Sequence, residues 1–139
     1  MSCVTLIASD KPLPLCSCRE PRTKIVQTGA AKYTVSLPCG FQVSEHCYYR
    51  QAVDELDLPI RLFQYELSLT PEESDLRNLQ DYLRTNCSPG DCVQLWSLWV
   101  GGPEDTFCPL RRSGTLEELS VDVLKLFLAE TPCWLEITI

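Results

Sequence analysis

Residues 91–102 read DCVQLWSLWVGG, an apolar run carrying two of the chain's three tryptophans and stopping at a glycine pair. Split by alternation, it sets Val93, Leu95, Ser97 and Trp99 on one side and Cys92, Gln94, Trp96, Leu98 and Val100 on the other. Both sides are mostly apolar. A strand of that kind is covered on both faces and belongs inside a sheet, whereas a half-solvated strand alternates more strictly. Gly101 and Gly102 are read as the turn that ends it.

Upstream, RLFQYELSL (61–69) alternates Phe63, Tyr65, Leu67 and Leu69 with Gln64, Glu66 and Ser68, as a one-sided strand does. TPEESDLRNLQDYLRTN (70–86) predicts a helix, with Thr70 as N-cap, Pro71 in the first position, Glu73 closing a capping box and Leu76, Leu79 and Leu83 as the buried stripe. Downstream, Thr115 and Glu118 predict a second capping box, followed by an amphipathic helix on Leu116, Leu119, Val123, Leu126 and Phe127 that Pro132 closes. The last residues, CWLEITI, turn Cys133, Leu135, Ile137 and Ile139 one way and Trp134, Glu136 and Thr138 the other.

From residue 61 the order is therefore strand, helix, strand, helix, strand, and right-handed crossovers place both helices on one face of strands lying in spatial order. Residues 1–60 are less regular. CVTLIAS, KIVQ and YTVSL are short strand-like runs, and SEHCYYRQAVDEL reads as a helix with Ser44 as N-cap and a stripe of Tyr49, Ala52, Val53 and Leu56. The expectation is an α+β domain spanning residues 1–139, a two-layer α/β sandwich with a mixed sheet and a hairpin-rich N-terminal half. The alternative is a ferredoxin-like arrangement with TFCPLRR as an extra strand. That would set Pro109 in the middle of the sheet and residues 92–100 at its edge, both unfavourable.

At 139 residues, 45% apolar and 22% charged, the chain suits one globular core. A net charge of -7 opposes nucleic-acid phosphates, so no nucleic acid is expected as a ligand. The apolar run before Asp10 is only about five residues, too short for a secretion signal, and no segment reaches the roughly eighteen apolar residues of a membrane span. A cytoplasmic location away from membranes follows as an expectation. The nine cysteines are odd in number and lack an export signal, which favours reduced thiols over a disulfide scaffold.

LIASDKPLP (6–14), VQLWSLWVG (93–101) and the terminal CWLEITI together resemble a group of small bacterial proteins of unassigned function. The resemblance touches the two ends and the central strand. It implies no activity, cofactor or catalytic residue.

Function must then be sought on the sheet face turned away from the two helices, where Gln64, Glu66, Trp134 and Glu136 fall together with Gln94 and Trp96 of the central strand, or else with its Ser97 and Trp99; the set with Gln94 and Trp96 is taken as the candidate contact surface. Either the N-terminal half or a second copy of the chain covers that face, or it is a groove for a protein partner or small ligand. The leading expectation is a small non-catalytic binding or regulatory protein with no cofactor. Two alternatives use the remaining chemistry. A cysteine-dependent enzyme would need His46, the sole histidine, with Cys39 or Cys47; a zinc-stabilised module would need Cys16, Cys18, Cys39, His46 and Cys47, or the looser Cys87 and Cys92 pair. Glu66 and Glu136 are the one candidate carboxylate pair. VGGPED lacks the helix, lysine and serine of a phosphate loop.

Overall fold

The computed structural model describes residues 2–17, 22–37, 40–101 and 109–139, with only the backbone path for 22–26 and 33–37. The chain opens with β1 (Ser2–Ser9) and the two-residue β2 (Cys16–Ser17). A separate hairpin of β3 (Arg22–Thr28) and β4 (Ala31–Leu37) turns at Gly29, which has φ +62°. There follow β5 (Gln42–Glu45), the short α1 (Arg50–Asp54), β6 (Phe63–Ser68), α2 (Glu73–Asn86), β7 (Cys92–Val100), β8 (Leu110–Thr115), α3 (Val121–Ala129) and β9 (Cys133–Thr138).

Seven of the strands form one mixed sheet in the order β2-β5-β6-β1-β7-β9-β8, antiparallel at every junction except β8 with β9. The α+β class and the interior position of β7 match the sequence. The neighbours do not. β1 lies between β6 and β7, where the sequence reading set those two side by side, because β1 is itself apolar on both faces: Val4, Leu6 and Ala8 to one side, Ile7 to the other, all buried. β6 and β7, each antiparallel to β1, run parallel to one another, and α2 crosses over β1 to join them.

The added strand β8 begins after Pro109 and occupies the sheet's margin, so the ferredoxin-like order is not formed; residues 106–108 of TFCPLRR lie outside the described residues. With β8 inserted, α3 connects the parallel pair β8 and β9, and β9 returns antiparallel to β7.

α2 and α3 pack on the same face. Leu76, Leu79 and Leu83 of α2 meet Leu124 and Phe127 of α3 over Ile7, Val93, Leu95, Cys133, Leu135 and Ile137. The opposite face is covered in large part by the N-terminal half, one of the alternatives expected, through a helix and its flanks and not through strands: Val53 of α1 with Tyr49, Ala52, Leu58 and Ile60 covers Val4, Leu6, Trp96, Leu98 and Val100. The helix expected from Ser44 is shorter than its stripe. Ser44 belongs to β5, bound to β6 opposite Glu66, and helix begins only at Arg50; Leu56 is exposed. Strand pairing there overrides helical periodicity.

Both predicted caps are displaced inward. α2 starts at Glu73, and it is Asp75, fully buried, that reaches back to accept from Thr70 N at 2.7 Å and Thr70 Oγ1 at 2.8 Å. Thr115 and Glu118 do bond, at 3.2 Å, but within the turn after β8; the N-cap of α3 is Ser120, whose Oγ accepts from Val123 N at 3.2 Å.

Candidate functional site

Strand register arranges the six candidate residues in two rows on the α1 face. One row runs Gln64, Ala8, Gln94, Glu136; the next runs Glu66, Leu6, Trp96, Trp134, Arg111. β1 divides both rows, and what it contributes decides what can meet. Between Gln64 and Gln94 stands only the methyl of Ala8, and both amides reach the same residue, Arg61, which the sequence reading passed over.

Gln94 Oε1 accepts from Arg61 N at 2.9 Å and from Trp96 Nε1 at 3.0 Å, while Gln94 Nε2 donates to Pro59 O at 3.3 Å. Gln64 Nε2 donates to Arg61 O at 3.2 Å. The Arg61 guanidinium pairs with Glu136 Oε1 at 3.4 Å and with Asp10, and Glu136 Oε2 also accepts from Arg111 Nη2. Arg61 Nε and Gln64 Oε1 have no hydrogen-bond partner among the described residues. Polar groups that could have faced a ligand instead strap residues 59–61 across the sheet. Nothing in the spacing of Arg61 marks this role, since it depends on β6 and β9 lying on opposite sides of the β1–β7 pair.

Trp96 is 0% exposed and stacks on Trp134 with ring centroids 4.5 Å apart and planes 4° apart. The Arg111 guanidinium lies 5.1 Å from the Trp134 ring centroid, a cation–π contact. Trp96 is core. Trp134, half-buried, is the part of the stack nearer solvent. The other tryptophan of β7, Trp99, is 44% exposed and donates to Thr131 O at 3.2 Å.

Glu66 stands apart. Three strand spacings, ~14 Å, separate its strand from that of Glu136, too far for a paired-carboxylate centre. It lines a cleft of about 400 Å³ instead. β1 pairs with β7 from Ser2 to Ser9, but with β6 only from Leu6 to Ser9; β6 meanwhile stays on β5 as far as Ser68. Beyond the Leu6–Glu66 pair the sheet therefore splits. The lining comes from both of its faces: Ser44, Glu66 and Ser68 on the α1 side, Cys3, Thr5 and Leu67 on the other. Backbone groups on the two lips that would complete a β ladder face the gap.

The alternative chemistries are not assembled among the described residues. His46 is 5% exposed, off any helix, and neither ring nitrogen has a hydrogen-bond partner there. Burial, then the nearby Arg50, hold its pKa below the ordinary value, with Asp54 opposing. Cys47 is exposed beside it, while Cys18 and Cys39 lie outside the described residues. Burial pushes the Cys133 thiol up to about 11 and raises that of Cys87, the reverse of an activated nucleophile. Among the described residues no three His, Cys, Asp or Glu side chains gather as a metal would require, and no helix is long and apolar enough to cross a membrane.

No family model matches the chain, and neither the curated proteins nor the solved structures contain a match to it.

Proposed function

We propose that the chain is a small non-catalytic binding protein of the cytoplasm, with its contact surface on the α1 face of the sheet and centred on the split beside Glu66. The split carries this reading. A cleft of about 400 Å³ falls within the range of ordinary ligand sites, and its walls are rich in hydroxyl, amide and unladdered backbone groups. Trp134, Arg111 and Glu136 form a separate polar surface on the far side of the β1–β7 pair from the split.

Electrostatics favour a cationic partner. Among the described residues Glu66 has no ion pair and no lysine or arginine lines the cleft, and the chain carries a net charge of -7. The same charge disfavours nucleic acid.

A fragment screen followed by amide chemical shifts of the whole chain tests this. Hits should cluster on residues 3–5, 44 and 66–69, with cationic fragments ahead of anionic ones. Hits that avoid the cleft, or prefer anions there, would remove the proposal.

A further inference from the structure

Resting on the cleft as the contact surface, we propose that its occupant is an extended peptide segment carrying a lysine or arginine, inserted as an extra strand between β1 and β6. Three features of the split point to a strand in preference to a compact small molecule.

The first is hydrogen bonding. Residues 2–5 of β1 keep β7 on one side and lack β6 on the other; Leu67 and Ser68 of β6 keep β5 and lack β1. Every second residue of a strand points its N–H and C=O to a given neighbour, so two residues of the β1 lip and one of the β6 lip turn their donors and acceptors to the gap. A guest strand satisfies both lips with main-chain groups alone.

The second is shape. A groove on one sheet face draws its lining from residues of one parity, but Ser44, Glu66 and Ser68 belong to one face and Cys3, Thr5 and Leu67 to the other. The gap lies in the layer itself. A guest strand there turns alternate side chains to opposite walls.

The third is charge and polarity. Side chains turned to the α1 side meet the Glu66 carboxylate with the hydroxyls of Ser44 and Ser68 near it; those turned to the other side meet Leu67 and Leu69 beside Cys3 and Thr5. The guest pattern is thus basic or polar alternating with small apolar. A guest lysine at Glu66 forms an ion pair partly shielded from solvent, which discriminates more than one on an open surface.

The test uses the full chain and the blocked heptapeptide Val-Ser-Val-Lys-Val-Ser-Val, with four comparisons: Lys replaced by Gln, N-methylation of the odd residues, N-methylation of the even residues, and free lysine amide. Binding is followed by amide chemical shifts and by hydrogen exchange. The expected result is perturbation and protection at residues 3–5 and 67–68, loss of binding for both methylated peptides, and about tenfold weaker binding of the Gln peptide, a gap that Glu66→Gln closes. A guest bonded along both edges needs both sets of N–H groups, so loss in only one methylated series would indicate addition to an outer edge such as β8 and overturn the proposal. Lysine amide binding as tightly as the peptide would overturn the strand while leaving the cleft a cation site. Silence at the cleft from every probe at millimolar concentration would overturn both.

Discussion

The main-chain N–H of Arg61 donates to Gln94 Oε1 at 2.9 Å, so a residue outside any strand or helix is fastened to the buried amide of the sheet's interior strand. The same oxygen holds the Trp96 indole at 3.0 Å and the amide nitrogen holds Pro59 O at 3.3 Å. Replacing Gln94 with Ala leaves two donors and one acceptor to find water in a covered site. Gln94→Ala should cost about 2–4 kcal/mol in urea unfolding and deprotect the Arg61 amide in hydrogen exchange. A loss under about 0.5 kcal/mol would show that residues 59–61 do not depend on the clasp.

The two stacked indoles should respond unequally. Trp96 is enclosed on all sides, and Trp96→Ala should lose about 3–5 kcal/mol, the usual range for emptying a buried aromatic site. Trp134, half-buried with Arg111 over its ring, should lose less on the same change, about 1–3 kcal/mol. Equal losses in chemical denaturation would contradict the placement of Trp96 as core.

His46 sets a pH dependence of definite sign. Its folded pKa is depressed by burial and by Arg50, so the folded chain keeps it neutral where the unfolded chain, with a value near 6.5, already takes up a proton. Its effect is absent above about pH 6.5 and becomes a progressive loss of stability as the pH falls from there toward the folded value. Urea midpoints for wild type and His46→Leu should run parallel from pH 8 to 6.5 and diverge below it, wild type falling faster. Parallel curves down to pH 5 would refute the assignment.

Capping offers a local comparison. Ser120→Ala removes the side-chain acceptor for Val123 N and should cost about 1 kcal/mol, whereas Thr115→Ala breaks only an exposed bond to Glu118 and should cost a few tenths. Thermal unfolding that ranked them the other way would restore Thr115 as the cap.

Several features were open to a reader of the sequence because they are local. The alternation of Phe63–Leu69 and of Cys133–Ile139, the leucine stripe of α2 and the two-faced apolarity of 92–100 each express a relation between residues two to four positions apart, and the structure keeps all of them. The sequence pattern puts the caps of α2 and α3 a few residues early, at Thr70 and Thr115, because each threonine does bond to a nearby acid, Asp75 or Glu118, without starting the helix. Of the candidate site, the face of each strand was legible from alternation, but which side of residues 92–100 joins Glu66 and Trp134, and how the residues group, was not. Gln64, Gln94 and Glu136 converge on Arg61, Trp96 is sealed beneath Trp134, and Glu66 belongs to a different cleft.

The sequence by itself determined that 63–68, 92–100 and 133–138 are extended and that 73–86 and 121–129 are helical, since those follow from periodicities of 2 and 3.6 along the chain. Only the tertiary structure decided that β1 lies between β6 and β7, that residues 49–60 cover the far face, and that β1 and β6 separate beyond Leu6 and Glu66. Backbone ladders bond alike whatever side chains they carry, so the partner of a strand is chosen by the burial of residues sixty or ninety positions away, a sum over the whole core that no single stretch contains.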